Sequence, residues 1–98
     1  MAPRGPSLSS AEAARIREIA LRHGIRRLRV FGSLARGEGR RESDVDLLIA
    51  FEPGRGFRDL MDFCDEVEKA LSRRLDVVLE DGLSPHIRER VLEEAIAL

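Results

Sequence analysis

The sequence predicts an α/β domain of the α+β kind, in which one small sheet is flanked by helices. Three short apolar segments have strand character, and stretches with the 3.6-residue periodicity of helices lie between and around them. The length of 98 residues suits one domain with one core. A hydrophobic fraction of 43% and a charged fraction of 36% are typical of a globular chain and argue against disorder.

A first helix is predicted over residues 10–23, after a loose tail of residues 1–8. Ser9 and Glu12 have the spacing of a capping box, in which the hydroxyl accepts the N3 amide and the glutamate reaches back. Apolar residues then recur at helical spacing until Gly24 ends the helix. One domain is therefore expected to occupy residues 9–98.

Two strands are predicted on either side of a polar, glycine-containing loop. The first comprises residues 27–31, and a short helix can open at Ser33 before the loop at 37–42. The second strand covers residues 44–51. Its run Leu-Leu-Ile-Ala at 47–50 is continuous and apolar, as expected of a central strand that is buried on both faces.

Three further elements complete the predicted order of helix, strand, short helix, strand, helix, strand and helix. A helix over about 57–72 has an apolar stripe, a strand follows at 75–79, and a turn at residues 81–85 precedes a last helix from about residue 86. The apolar stripe of that last helix is predicted to comprise Ile87, Val91, Ala95 and Leu98.

Charge and composition restrict the partners that the chain can have. Ten arginines against three glutamates give residues 1–41 a net charge of +7, whereas seven basic and fifteen acidic groups give residues 42–98 a net charge of −8. We therefore expect no direct nucleic-acid binding, although the cationic half could favour a phosphate-bearing small molecule. No apolar run approaches the ~20 residues of a membrane span, and the N-terminus lacks a secretory h-region. With a single cysteine, Cys64, these features favour the cytoplasm.

Two aspartates stand at the start of the second strand, where their residue type is unusual. Asp44 and Asp46 are two residues apart, so both side chains leave the same face of the strand, with Cα atoms roughly 6.5–7 Å apart. Two like charges ~5 Å apart repel by about 3 kcal/mol at an effective dielectric constant near 20. Either one carboxyl is protonated, or both are solvated, or a divalent metal lies between them. Hard oxygen ligands at this spacing suit Mg²⁺ or Mn²⁺.

Asp76 repeats the pattern, because it also begins a strand that continues as an apolar run. If the second and third strands are neighbours, Asp76 lies near Asp44 and Asp46. A third carboxylate is what two-metal phosphoryl chemistry uses, either to hold the second ion or to take the proton of the acceptor. Taken alone, Asp76 also fits an ordinary residue at the start of a strand.

Gly32 and Ser33 end the first strand and begin the short helix. Glycine permits close approach of the backbone to a ligand, and the free amides at a helix start attract anions. Gly-Ser is also a common turn dipeptide. The combined pattern G-S-x10-D-x-D, however, places an anion site beside a cation site, which is what a nucleoside triphosphate with bound magnesium requires.

The residues 31–37 (FGSLARG) and 43–49 (SDVDLLI) resemble the minimal nucleotidyltransferase (MNT) family of the polymerase-beta-like superfamily. The strand around Asp76 falls where that family has its third carboxylate. The closing segment is similar to the family's last helix, through Pro85, Ile87, Glu94 and Ala95. The resemblance covers nearly the whole chain and implies a small mixed sheet flanked by helices.

The resemblance also implies which residues form the site. Asp44, Asp46 and Asp76 would be the catalytic carboxylates and the ligands of Mg²⁺, with two ions expected, whereas Gly32, Ser33 and Arg36 would bind the triphosphate of ATP. A salt bridge to an acidic neighbour is an equal alternative for Arg36.

The resemblance implies the function of an antitoxin, because members of the family are typically encoded beside a HEPN-domain ribonuclease toxin and, in studied systems, transfer AMP from ATP to a tyrosine hydroxyl of the toxin. Two other functions stay open: an antitoxin that neutralises its partner by contact alone, and a nucleotidyltransferase that acts on a small molecule or an RNA end.

Overall fold

The computed structural model describes residues 8–32 and 45–98, which form three helices and four strands. The helices α1 and α2 and the strands β2 and β3 begin and end within one residue of their predicted bounds, and the short helix predicted at Ser33 lies outside the described residues. In chain order the elements are α1 (Ser10–Arg22), β1 (Ile25–Val30), β2 (Val45–Phe51), α2 (Phe57–Leu71), β3 (Leu75–Leu79), a 3₁₀ turn (Glu80–Gly82), α3 (Pro85–Glu94) and β4 (Ile96–Ala97).

The four strands form one mixed sheet in the order β3-β2-β1-β4. β2 pairs with β3 in parallel, whereas β1 is antiparallel to both β2 and β4. β2 is thus an interior strand, and Leu47, Leu48 and Ile49 have no exposed surface. The prediction of a central strand that is buried on both faces is confirmed, and so is the mixed sheet flanked by helices.

The core lies between the sheet and the helices α1 and α2. Side chains alternate along a strand, so the residues of β2 that face the helices are separated by residues that face the other way. We call the face opposite α1 and α2 the second face, defined on β2 by Asp46, Leu48 and Ala50. The buried residues between the sheet and the two helices are Ile16, Ile19, Ala20, Ile25, Val30, Val45, Leu47, Ile49, Phe63 and Val67.

The start of α1 is fixed by the predicted capping box. The Ser9 hydroxyl accepts a hydrogen bond from the amide of Glu12, the Glu12 carboxylate accepts one from the amide of Ser9, and both distances are 3.0 Å. α3 begins at a second serine, Ser84, whose side chain makes no capping hydrogen bond. The two serines therefore occupy equivalent helix positions, but only one of them satisfies an amide at the helix start.

Replacing Ser9 with alanine is expected to lower the free energy of unfolding by about 1 kcal/mol, because the amide of Glu12 loses its acceptor. The matched change Ser84→Ala removes no such hydrogen bond and should alter the stability by less than about 0.5 kcal/mol. Urea unfolding followed by circular dichroism measures both values. Equal losses for the two variants would contradict the role given to the Ser9 hydroxyl.

The end of α1 is tied to the middle of α2 through Glu66. The Glu66 carboxylate is 2.9 Å from Nε2 of His23, the C-cap residue of α1, and it also pairs with Arg22. These hydrogen bonds hold the pKa of Glu66 below its ordinary value, with the contact to His23 the larger cause. His23 thus has a structural role, in which it links the end of α1 to α2.

The predicted last helix is present as α3 and begins at Pro85, but its end and its apolar stripe differ from the prediction. α3 ends at Glu94 and contains no buried residue, and Ile87 is 54% exposed. Ile96 and Ala97 form β4, which pairs with Arg29 and Val30 of β1, so the predicted helical stripe through Leu98 is wrong. A two-residue strand has no periodicity of its own, and its pairing with β1 depends on a contact that is distant in sequence.

The boundary of the predicted N-terminal tail also shifts. Leu8, the last residue assigned to the tail, is half-buried and packs against the core. Residues 1–7 lie outside the described part of the chain. None of the helices within residues 8–32 and 45–98 has both the length and the apolar character needed to cross a membrane.

Candidate active site

Two of the three predicted carboxylates occupy directly opposed positions on neighbouring strands. In the parallel pair of β2 and β3, Asp46 is the partner of Asp76. Adjacent strands are about 4.8 Å apart, and opposed residues place their side chains on the same face of a sheet. The expectation that the third strand brings Asp76 beside the second strand is confirmed. Asp44 lies outside the described residues, and its part in the site stays a prediction.

Both carboxylates belong to the second face of the sheet. The residues on either side of Asp46 along β2, Val45 and Leu47, belong to the core under α1 and α2, so the alternation along the strand directs Asp46 away from the helices. Asp76 lies opposite Asp46 in the register and therefore on the same face. Asp46 is half-buried and Asp76 is exposed. Asp76 is therefore accessible to a molecule that approaches this face from solvent.

The turn after β1 touches Asp46. The amide of Phe31 donates to the Asp46 carbonyl at 3.0 Å, which continues the β1–β2 ladder to the level of the carboxylate. Gly32 follows with φ of +73°, in the left-handed region that favours glycine. A Cβ atom at Gly32 would lie 2.6 Å from Oδ2 of Asp46. Glycine is thus required here for two reasons: the backbone conformation, and the space that the carboxylate occupies.

The other residues predicted to bind the triphosphate are Ser33 and Arg36, and both lie outside the described residues. Within residues 8–32 and 45–98, no three His, Cys, Asp or Glu side chains form a group that could hold a metal. The described part of the site therefore consists of Gly32, Asp46 and Asp76.

The electrostatics of this arrangement favour a bound cation. Two carboxylates on adjacent strands repel each other, and repulsion of about 1 kcal/mol or more is expected unless a positive charge lies between them. Carboxylate oxygens are the hard donors that Mg²⁺ and Mn²⁺ prefer. Asp46 and Asp76 thus fit a divalent cation by the chemistry and placement of their donors.

A second charged cluster on the same face was not predicted from the sequence. Glu80, one residue after β3, is 1% exposed, and its carboxylate forms ion pairs with Arg27 at 3.4 Å and Arg29 at 3.5 Å, both from β1. Arg88 of α3 completes the cluster at 3.8 Å. These residues come from three separate segments, so no local pattern of the sequence could reveal their convergence.

Comparisons with known proteins identify the family of the chain. The profile of the nucleotidyltransferase domain family matches residues 13–98. A Methanocaldococcus jannaschii protein with the provisional name protein adenylyltransferase MJ0435 is 37% identical over 78 residues, which cover 80% of this chain and 84% of that protein. The protein adenylyltransferase MntA of Thermococcus cleftensis is 34% identical over 89 residues, which cover 91% and 90% of the two chains.

Solved structures show the same fold. One with the provisional description minimal nucleotidyltransferase has a TM-score of 0.82 and 49% sequence identity, and the match covers 90% of each chain. A complex of a tri-AMPylated HEPN toxin of Shewanella oneidensis with its MNT antitoxin has a TM-score of 0.68 at 13% identity, over 89% of this chain and 68% of that chain, and supports the fold alone. By its sequence and its fold, the chain belongs to the nucleotidyltransferase domain family.

Proposed function

We propose that the chain is a protein adenylyltransferase that transfers AMP from ATP to a tyrosine hydroxyl of a HEPN-domain toxin in the cytoplasm, and so acts as its antitoxin. The observation that carries the proposal is the register of β2 and β3, which pairs Asp46 with the exposed Asp76 beside the Gly32 turn. Two relatives have names that specify protein adenylyltransferases, and a fold neighbour is an antitoxin in complex with an AMPylated HEPN toxin.

The metal expected at this site is Mg²⁺, with two ions held by Asp46, Asp76 and the predicted ligand Asp44. Mn²⁺ has the same preference for oxygen donors. When bound, such ions neutralise the charge that develops on the phosphates and orient the triphosphate. The described carboxylates fit this group, because they are adjacent on the second face of the sheet, where Asp76 is exposed and Asp46 is half-buried.

The residues of the chain would bind and orient the two reactants. The amides at Gly32 and Ser33, with the side chain of Arg36, would hold the triphosphate at the start of β2. The acceptor hydroxyl would attack the α-phosphorus in line, so that an oxygen–phosphorus bond forms and the bond to pyrophosphate breaks. Asp76 is the candidate for taking the hydroxyl proton, because its carboxylate is exposed beside Asp46. Positioning and charge neutralisation would supply most of the rate enhancement.

The acceptor must belong to another molecule if it is a tyrosine. The chain contains no tyrosine, so it cannot modify itself on that side chain. A HEPN partner supplies the acceptor in this proposal, and the site needs no acceptor group from the chain itself.

A second candidate function is neutralisation of the partner by contact alone. The observation that favours it is α3, which contains no buried residue and leaves Ile87 54% exposed. A helix without a buried residue presents surface that a partner can cover, which is what neutralisation by contact requires. Release of pyrophosphate in the presence of ATP, Mg²⁺ and the partner separates this function from catalysis.

The test is the intact mass of the HEPN partner after co-expression with this chain. We expect the partner to gain one or more AMP units with the wild-type chain and none with the variant Asp46→Asn/Asp76→Asn. Digestion of the modified partner then identifies the acceptor residue. An unmodified partner that no longer inhibits growth would contradict catalysis and would support neutralisation by contact.

A further inference from the structure

The second face of the sheet has an excess of positive charge around Glu80. Three guanidinium groups, from Arg27, Arg29 and Arg88, surround a single carboxylate, which leaves a net charge of +2 in the cluster. The cluster crosses the sheet, because β2 lies between β1, which contributes two arginines, and β3, which precedes Glu80. Leu48 and Ala50 of β2 lie beneath this crossing and are 0% and 2% exposed. The arginine stems thus cover apolar surface while their charged ends meet Glu80.

The N–H donors of these arginines outnumber the acceptor sites that the Glu80 carboxylate offers. Each guanidinium has five N–H donors, whereas one carboxylate offers about four acceptor sites. The contacts of 3.4–3.8 Å are longer than the 2.7–2.9 Å of strong charge-assisted hydrogen bonds, and neither Glu80 oxygen has a hydrogen-bond partner among the described residues. The three arginine side chains are 43%, 30% and 41% exposed. Most of their donors therefore remain available to an anion from solvent.

The register fixes where this cluster lies relative to the candidate active site. Arg29 is opposite Leu48 and Arg27 is opposite Ala50, so they are two and four residues beyond Asp46 along β2. At about 3.4 Å per residue, the arginine positions are about 7–14 Å from the level of Asp46. Gly32 follows β1 on the other side of Asp46. The Gly32 turn and the cluster thus lie on opposite sides of Asp46 along β2, so with the triphosphate assigned to the Gly32 turn we assign the acceptor to the side of the cluster.

We propose that Arg27, Arg29 and Arg88 bind carboxylate side chains of the acceptor protein and thereby select a hydroxyl that lies in an acidic segment. The spacing of 7–14 Å corresponds to two to four residues of extended chain between that hydroxyl and the bound carboxylates. Glu80 is a positioning residue, which holds the three guanidiniums over β2. The proposal depends on the proposed function for the identity of the reaction, but the binding step can be tested without it.

The experiment compares two fluorescent peptides by anisotropy, without ATP. Both contain one tyrosine and differ only at the positions two and four residues to either side of it. These positions are glutamates in the first peptide and glutamines in the second. We expect the wild-type chain to bind the glutamate peptide about tenfold more tightly at low ionic strength, as two or three partly exposed ion pairs imply. The preference should decrease at high salt, where such pairs are screened.

The variant Arg27→Gln/Arg88→Gln should reduce this preference to about twofold or less. The matched control is Arg17→Gln/Arg58→Gln, which removes the same charge from exposed positions of α1 and α2, on the other side of the sheet. The control should keep the tenfold preference. If the double variant fails to fold, the single change Arg88→Gln leaves two partners for Glu80 and should lower the preference about threefold.

Three results would overturn the proposal. The first is equal affinity of the two peptides for the wild-type chain, and the second is a preference that survives in Arg27→Gln/Arg88→Gln. The third is that a single-stranded oligouridylate or a fluorescent ATP analogue binds the wild-type chain more tightly than the glutamate peptide does, and that Arg27→Gln/Arg88→Gln abolishes this binding. The cluster would then be a site for RNA or for the nucleotide. Failure of AMP transfer with an intact peptide preference contradicts the proposed function and leaves the cluster assignment in place.

Discussion

Replacing Asp76 with asparagine is expected to lower AMP transfer to the partner by about 10²- to 10⁴-fold, which is the usual contribution of a positioned general base. Asp76 is exposed on the second face and is the direct partner of Asp46 in the β2–β3 register. The substitution preserves shape and removes the negative charge and the proton-accepting capacity together. The double variant Asp46→Asn/Asp76→Asn should reduce the rate to the background of the assay.

The stability of the Asp76→Asn variant distinguishes this role from a structural one. Two like charges on adjacent strands destabilise the folded state, so removing one should leave the free energy of unfolding unchanged or raise it by about 1 kcal/mol. A carboxylate that served only the fold would give the opposite sign. The matched control is Asp62→Asn on α2, an exposed aspartate on the helical side of the sheet, which should change neither activity nor stability.

The measurements are pyrophosphate release with ATP, Mg²⁺ and the partner, and urea unfolding of each variant alone. Transfer at the wild-type rate by Asp76→Asn would contradict the proposed chemistry, whatever its stability. A loss of transfer that accompanies a comparable loss of stability would point instead to damage of the β2–β3 pair.

The elements with strong local signals were predictable from the sequence. The capping box at Ser9 and the helical periodicity that follows define α1, and the continuous apolar run of β2 indicates an interior strand. Local patterns also placed Asp46 and Asp76 at the starts of their strands, because each aspartate precedes an apolar run. Their proximity was expected only on the condition that the two strands are neighbours, which the sheet fulfils. When two parallel strands are neighbours and each has an aspartate before its apolar run, the two aspartates lie opposite each other.

The features that the sequence analysis missed depend on contacts between distant segments. β4 comprises two residues that pair with Val30 and Arg29, more than sixty residues earlier in the chain. The spacing of Ile87 and Val91 resembles that of a buried helical stripe, but Ile87 is exposed and Val91 is only half-buried. The burial of Glu80 has the same origin. A single glutamate after a strand is ordinary in a sequence, and only the crossing of β2 by Arg27 and Arg29 reveals its role.

Gly32→Ala is expected to lower kcat/KM for AMP transfer by about 10²-fold, although it adds only one methyl group. The new Cβ would lie 2.6 Å from Oδ2 of Asp46, so either the carboxylate or the turn must move by several tenths of an ångström. Displacement of a catalytic group on the scale of 1 Å can cost about 10²-fold in rate. The residue is also at φ of +73°, where a side chain is unfavourable by about 1 kcal/mol.

Gly54→Ala separates the two effects of the Gly32 substitution. Gly54 has φ of +92°, but a Cβ atom there would meet nothing within 4 Å. Both alanine variants should therefore lose about 1 kcal/mol of stability, since alanine is strained at positive φ, whereas only Gly32→Ala should lose activity. Unfolding midpoints and kcat/KM for each variant provide the comparison. Equal activity of the two variants would show that the contact between the Gly32 turn and Asp46 does not position the carboxylate, and the catalytic assignment would then depend on the β2–β3 register alone.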